Sequence, residues 1–276
     1  MKLEFNTICT GSCDNILPKL IESGITFDLV LTDPPYKLNK DFGNDSDKLP
    51  LNVFLDITTS RISACKELLS PTGSILWFGI HNYIGLIQNI MYEKNLYYRR
   101  MNIWFYENGF SRNTRSPLAQ YEPFLWFSKN KTKWTYNTND VRIPYKSTER
   151  LKSPIYYKNS KGEKKVWTPN PLGAMRGDIW NFPTLAGKNY KNEKTSHPTQ
   201  KPEALITELI KAYCPKNEDG YYEGTILDPF HGSGTLGVCC EKLNLEGHKI
   251  KWIGIELEQK WVDISFRRLE KIKKVR

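Results

Sequence analysis

The stretch from Gly224 to Glu256 constrains the fold of this chain more than any other. A short apolar run, Gly224-Thr225-Ile226-Leu227, ends in Asp228-Pro229-Phe230-His231-Gly232-Ser233-Gly234-Thr235, and an apolar segment, about Leu236–Leu243, follows. A second apolar run, Lys251–Glu256, closes on an acid. Gly232-Ser233-Gly234-Thr235-Leu236-Gly237 fits G-x-G-x-x-G between a strand and a helix. Glycines there permit a tight turn and close approach of a ligand, and an acid at the end of the next strand accepts from ribose hydroxyls. This is a nucleotide-cofactor arrangement. Taken alone it fits a dinucleotide as well as S-adenosylmethionine. Asp228, just before the glycines, favours the second: a carboxylate suits a methionine ammonium and repels a pyrophosphate.

A second string sits near the N-terminus. Phe27-Asp28-Leu29-Val30-Leu31-Thr32 runs into Asp33-Pro34-Pro35-Tyr36. Two prolines stop a helix, so this reads as a buried strand followed by a fixed turn. The exocyclic amine of adenine or cytosine is a poor nucleophile because its lone pair is delocalised into the ring. An enzyme that alkylates it must hold the nitrogen with acceptors that favour a tetrahedral geometry. Asp33 offers a carboxylate, Pro34 a carbonyl whose direction the Pro34-Pro35 unit fixes, and Tyr36 a flat face for an extruded base. A base inside a duplex is out of reach, so such chemistry requires flipping. Methyl transfer is then an in-line displacement driven by positioning and electrostatics. It needs no covalent enzyme intermediate and no metal.

Between and around these strings the pattern is α/β. Ser74–Phe78 follows Pro71-Thr72-Gly73 and reads as a strand. Asn52–Leu69 and Tyr83–Asn95 have helical spacing, and Met101–Tyr106 and Pro123–Ser128 read as strands. Glu203–Tyr213 is a helix, and the chain ends in a basic helix, about Gln259–Lys273. Strands alternating with helices imply a largely parallel sheet covered on both faces. From Asn130 to about Thr195 periodicity fades, which suggests an insertion with little regular structure.

Charge singles out the same insertion. The net charge is +10, and residues 130–196 carry 14 Lys/Arg against 5 Asp/Glu. Nearly all the excess therefore sits in one quarter of the chain. Aromatics are interleaved there: Trp134, Tyr136, Tyr145, Tyr156, Tyr157, Trp167, Trp180, Phe182 and Tyr190. Such a block suits a polyanion, with a phosphate backbone the leading candidate. Lys161, Lys164, Lys165, Arg142 and Arg176 are its expected DNA contacts. The longest apolar stretches are too short to span a bilayer. The N-terminus has no signal-peptide pattern, and the six scattered cysteines form no C-x-x-C, so reduced thiols and a cytoplasmic location are expected.

These motifs, in this order, resemble the β subclass of DNA amino-methyltransferases, usually partners in restriction–modification systems. The D-P-P-Y string comes first, then a recognition region, then Ser196-His197-Pro198-Thr199-Gln200-Lys201-Pro202, close to the family's H-P-T-Q-K-P, then D-P-F-x-G-S-G-T. Leu69–Ile75, Asn102-Ile103-Trp104 and Asn108-Gly109 also look like the family. The likeness covers nearly the whole chain apart from about 130–195. It implies a Rossmann-like S-adenosylmethionine-dependent methyltransferase fold with permuted motif order. Residues 1–129 and 197–276 would form the catalytic domain, and 130–196 an inserted target-recognition region.

Carried over by position, the resemblance makes Asp33, Pro34, Pro35 and Tyr36 the catalytic pocket. Asp228, Pro229, Phe230, Gly232, Ser233, Gly234, Thr235 and Glu256 would hold S-adenosylmethionine, together with Thr199 and with Lys201 on the cofactor carboxylate. Where relatives carry an acid in an early G-D segment, this chain has Gly11-Ser12-Cys13-Asp14, with Ser12 at that position. His231 fills a variable position and is expected to pack or face solvent. Lys37–Pro50 would be a loop closing over the base. Arg267, Arg268, Lys271, Lys273, Lys274 and Arg276 of the last helix are expected on a solvated face.

The expected activity is methylation of adenine N6 in duplex DNA, because D-P-P-Y in this family goes mostly with adenine and S-P-P-Y mostly with N4 of cytosine. Asp33 could hold either amine, so the cytosine enzyme stays open. An RNA methyltransferase, a catalytically silent DNA-binding subunit and a dinucleotide oxidoreductase are weaker alternatives. A homodimer and a cognate endonuclease are the protein partners the resemblance implies.

Overall fold

The computed structural model describes residues 4–38, 48–109, 115–147, 149–152 and 155–273. Strands β1 (Thr7–Thr10), β2 (Phe27–Thr32), β3 (Leu69–Phe78), β4 (Tyr97–Phe105), β5 (Tyr121–Ser128), β8 (Ile179–Asn181), β9 (Thr225–Asp228) and β10 (Lys251–Glu256) build one eight-stranded sheet. Its order is β1-β10-β9-β2-β3-β5-β4-β8, and only β5 runs against its neighbours. A separate hairpin pairs β6 (Ile155–Lys158) with β7 (Lys164–Trp167).

The period-2 alternation of the central strands sorts the helices. Val30, Ile75, Trp77, Leu125 and Leu227 face α1 (Cys13–Glu22), α2 (Leu51–Leu68) and α3 (Ile84–Glu93). Leu29, Leu31, Leu76, Phe124 and Ile226 face α5 (Glu203–Tyr213), α6 (Thr235–Leu245) and α7 (Gln259–Lys273). A sheet covered on both faces buries consecutive strand residues, as β2 does at Leu29–Thr32 and β9 at Ile226–Asp228. The remaining helix, α4 (Glu149–Lys152), is a single turn.

The order of strands decides where a ligand can sit. β2 and β9 are neighbours, with Leu29 opposite Ile226 and Val30 opposite Leu227. From β2 the chain moves outward to β3; from β9 it moves the other way, to β10. The loops leaving the carboxyl ends of β2 and β9 therefore diverge and open a crevice, the usual ligand position in an open α/β sheet. These two loops are Asp33–Tyr36 and Pro229–Gly234, so the fold brings together strings that lie far apart in sequence. The reversal of β5 adds a third contributor. Its first residues lie beside the carboxyl ends of the others, and Glu122 stands opposite Trp104 at that rim.

The region expected to be irregular contributes to the main sheet. Ile179–Asn181 pairs with Ile103–Phe105, and Trp180 is fully buried with its Nε1 donating to Asn102 Oδ1 at 3.1 Å. Tyr136 and Phe182 also pack on the core. Three of the interleaved aromatics are thus used inside. Tyr156 and Tyr157 on the hairpin are 70% and 51% exposed.

Candidate active site at the ends of strands β2 and β9

The glycine turn is held in place by side chains around it. Thr32 Oγ1 donates to Asp228 Oδ1 at 3.0 Å, which ties the end of β2 to the end of β9. The same Oδ1 accepts from Phe230 N at 3.1 Å. Glu256, closing β10, accepts from Gly232 N at 2.8 Å and from Glu258 N at 2.9 Å. Gly234 has φ +80°, and a Cβ there would collide with the Ser265 side chain. Both the left-handed backbone and the crowding require glycine at this position. Behind the turn, the Arg268 guanidinium donates to Ser233 O at 2.8 Å, Thr235 Oγ1 at 3.1 Å and Glu203 Oε1 at 2.7 Å. Arg268 is therefore not on a solvated face but clasps the turn. Arg267, Lys271 and Lys273 are exposed, while Lys274 and Arg276 lie outside the described residues.

Asp33 is the centre of a second cluster. The Tyr36 hydroxyl donates to Asp33 Oδ1 and the Lys201 ammonium to Asp33 Oδ2. Glu122 Oε2 lies 3.1 Å from Lys201 Nζ and accepts from the Tyr36 hydroxyl at 3.2 Å. Lys201 is only 5% exposed, and its ammonium also lies over the rings of Tyr36, Phe78 and Trp104 at 5.4, 5.3 and 5.5 Å. Burial pushes the Asp33 carboxyl above its ordinary range, and Lys201 opposes that shift. Burial would lower the Lys201 ammonium, but Asp33 and Glu122 more than offset it and hold it charged. Burial and the two carboxylates push the Tyr36 hydroxyl well up, so it remains a donor.

Two hollows meet here. The larger encloses about 800 Å³ including its mouth, with Gly11, Ser12, Arg61, Glu256 and Trp261 along its walls. The smaller, about 460 Å³, is lined by Thr32, Lys201, Asp228, His231, Ser233 and Thr235. Asp33, His197, Thr199, Phe230 and Gly232 line both. The arrangement can hold an extended ligand with its middle against Asp33 and Phe230.

Each expected site residue has a definite place. Asp33, Pro34, Pro35, Tyr36, Thr199, Pro229, Phe230, Gly232 and Glu256 line the larger hollow, and Asp228, Ser233 and Thr235 the smaller. Lys201 was expected on a cofactor carboxylate; here its ammonium is taken up by Asp33 and Glu122, because those carboxylates face the same buried spot. In the early segment Ser12 caps α1, accepting from Asp14 N at 3.2 Å. Asp14 makes a two-pronged pair with Arg61, 2.7 Å at both contacts, which holds its carboxyl below the ordinary value. His231 is buried and stacks on Trp252 at 5.3 Å. The loop 37–50 falls largely outside the described residues, which omit 39–47.

The basic candidates divide. Lys161, Lys164 and Lys165 are exposed on the hairpin. Arg142 and Arg176, expected to contact DNA, are half-buried and engaged within the protein. Arg142 donates to Gly173 O and Asn139 Oδ1, both at 2.9 Å. Arg176 pairs with Glu208 at 2.9 Å, donates to Val141 O at 3.0 Å, and lies over Trp180 at 4.7 Å. α5 presents Glu208 beside the insertion, and a half-buried carboxylate recruits the nearest guanidinium.

Sequence reasoning passed over Glu122, Arg61 and Arg268 as site residues. Arg268 had a signal: it lies next to the buried stripe Trp261, Val262, Ser265, Leu269 and Ile272 of α7. Glu122 had none, since its position depends on the reversal of β5.

The comparisons with known proteins agree with this geometry. A family model described as DNA methylase matches residues 27–267. The type II methyltransferase M.HpaI of Haemophilus parainfluenzae is 33% identical over 264 residues, covering 95% of this chain and 73% of that protein. Among solved structures, the crystal structure of an M1.HpyAVI–SAM complex is similar with a TM-score of 0.64 and 25% identity, over 95% of this chain and 98% of that one. The cytosine-N4-specific PvuII DNA methyltransferase shares the fold, with a TM-score of 0.66, 16% identity, and 98% and 90% of the two chains covered.

Proposed function

The chain belongs to the DNA methylase family, and from that premise we propose that it transfers a methyl group from S-adenosylmethionine to N6 of adenine at a specific site in duplex DNA. The observation that carries this reading is the meeting of Asp33 and Tyr36 with the glycine turn across one shared cleft. A methyl donor and an exocyclic amine must approach within bonding reach, and this is where the chain's acceptors for each converge.

The residues present fit S-adenosylmethionine. The acid Glu256 stands in the larger hollow, where it would accept from ribose hydroxyls with lone pairs left after its two backbone bonds. Phe230 and Trp261 supply apolar walls. The smaller hollow offers the Asp228 carboxylate for an ammonium and the Ser233 and Thr235 hydroxyls for a carboxylate. When bound, the cofactor supplies an electrophilic methyl group on a sulfonium centre. Asp33 and the Pro34 carbonyl would hold the target amine, and Tyr36 would flank the flipped base. A similar solved structure is a complex with SAM, which supports the same cofactor here.

For duplex recognition the reading assigns residues 130–196, less the strand Ile179–Asn181 that the sheet uses. The hairpin is the element of choice, since a two-stranded ribbon fits a major groove and this one carries Lys158, Lys161, Lys164 and Lys165. DNA affinity is expected to fall steeply with salt. Replacing Lys161, Lys164 and Lys165 by glutamine should reduce the log–log salt slope by about one for each phosphate the variant no longer neutralises. Fluorescence anisotropy across a salt series measures this, and an unchanged slope would remove the hairpin from the interface. A cognate endonuclease acting on the same site and a homodimer both rest on the family resemblance.

The fold likeness to a cytosine-N4 enzyme keeps one second reading. Labelled methyl incorporation into unmethylated DNA, followed by nucleoside mass spectrometry, separates the two. N6-methyladenine is expected. N4-methylcytosine alone would move the activity to cytosine, and no labelled base at all would overturn the reading.

A further inference from the structure

We propose that Lys201 and Glu122 form a relay that carries the proton released by the target amine from Asp33 towards solvent. The inference rests on the amino-methyltransferase reading of this site and adds to it two residues with a stated task.

The balance of the reaction requires such a route. The amine lone pair forms the new nitrogen–carbon bond as the methyl–sulfur bond breaks and its electron pair stays on sulfur. The nitrogen is then cationic and must lose one proton, keeping the electrons of the broken N–H bond. Asp33 is the carboxylate placed to take that proton. Its Oδ2 is bonded to Lys201, and Lys201 Nζ lies 3.1 Å from Glu122 Oε2. When Lys201 gives a proton to Glu122 and takes the one on Asp33, the ammonium is restored and Asp33 is again a carboxylate. Glu122 then loses the proton to water, so the relay returns to its starting state.

Charge and burial give the cluster this character. Lys201 is nearly inaccessible, whereas Asp33 and Glu122 keep 20% and 23% of their side-chain surfaces open. A base lying over Asp33 would leave Glu122 as the solvent-facing end. One ammonium between two carboxylates leaves a net charge of about −1 in a half-buried pocket, which binding a proton relieves. A lone Asp33–Lys201 pair would be neutral and would accept a proton less readily. The Tyr36 hydroxyl donates to Asp33 and lies within hydrogen-bond reach of Glu122, which closes the ring of contacts. The ionisable groups facing Glu122 are Asp33 and Tyr36 after β2, Lys201 before α5, and Tyr106 after β4. Burial and Glu122 push the Tyr106 hydroxyl up to about 12, so neither tyrosine titrates near neutrality.

Glu122→Gln tests the relay, because it keeps the shape and removes the charge. Three quantities are read: S-adenosylmethionine affinity by calorimetry, base extrusion by 2-aminopurine fluorescence in the target, and single-turnover methylation against pH. Binding and extrusion are expected to stay within about twofold while the methylation rate falls about 10²-fold, the usual scale for losing an acid–base partner. The acid limb of the pH profile should move to lower pH, since a neutral cluster holds a proton less tightly. Glu122→Asp should restore part of the rate, and its folding controls for the loss of the native side chain. An unchanged rate and profile in Glu122→Gln would overturn the relay. So would a rate loss that merely tracks lost extrusion, which would make Glu122 structural. Failure of the wild-type chain to methylate a base amine would instead sink the underlying reading.

Discussion

Asp33→Ala is expected to abolish methyl transfer, by about 10²–10⁴-fold or more, while duplex binding persists. The substitution removes the carboxylate that would orient the amine and take its proton. It leaves the fold intact for identifiable reasons. Pro34 and Pro35 still fix the turn, and β2 still pairs with β3 and β9. Lys201 keeps Glu122 as a partner at 3.1 Å, so no buried ammonium is stranded. Removing one of two carboxylates around a single lysine even lowers the uncompensated charge. Single-turnover incorporation of labelled methyl measures the loss, and anisotropy with a target duplex measures binding. Retained activity would take Asp33 out of the chemistry. Loss of binding with no separate loss of rate would make the turn a structural element only.

Much of this site is legible in the sequence because its parts are local. Asp33–Tyr36 and Asp228–Thr235 are contiguous strings at the ends of apolar runs, and strand-end loops of an α/β sheet are where ligands bind. The helices Leu51–Leu68, Ile84–Glu93 and Glu203–Tyr213 follow from spacing, since each buries one stripe. The features that sequence does not announce depend on partners distant along the chain. α1 has a serine cap, yet Pro18 inside it interrupts the helical pattern. β8 is three residues long and exists because β4 presents a free edge. Arg176 and Lys161 look alike in sequence; only the position of Glu208 separates an internal ion pair from an exposed cation. Glu122 acquires its place from the reversal of one strand, which no local pattern signals.

Lys201→Met is expected to destabilise the fold strongly. Methionine keeps an unbranched apolar stem of similar length and removes the ammonium that lies over Phe78 and Trp104, so the change isolates the charge. Without the ammonium, Asp33 and Glu122 face each other with Tyr36 as their shared donor. Breaking a buried ion pair from one side costs about 3–5 kcal/mol, which in a chain of this size lowers Tm by roughly 10 °C. The loss should depend on pH, and the sign follows from the carboxyl groups. Burial already raises the folded Asp33 pKa, and Glu122 raises it further; removing Lys201 removes the principal opposing influence. A folded-state pKa above the unfolded one means the folded state binds more protons in the interval between them. The variant therefore gains stability as pH falls through that interval, and its deficit is largest above the raised value, where Asp33 is ionised. Urea unfolding of both proteins at about pH 5 and about pH 8 should show a smaller gap at the lower pH. An equal gap at both would assign the loss to packing of the lysine stem and not to the two carboxylates it holds apart.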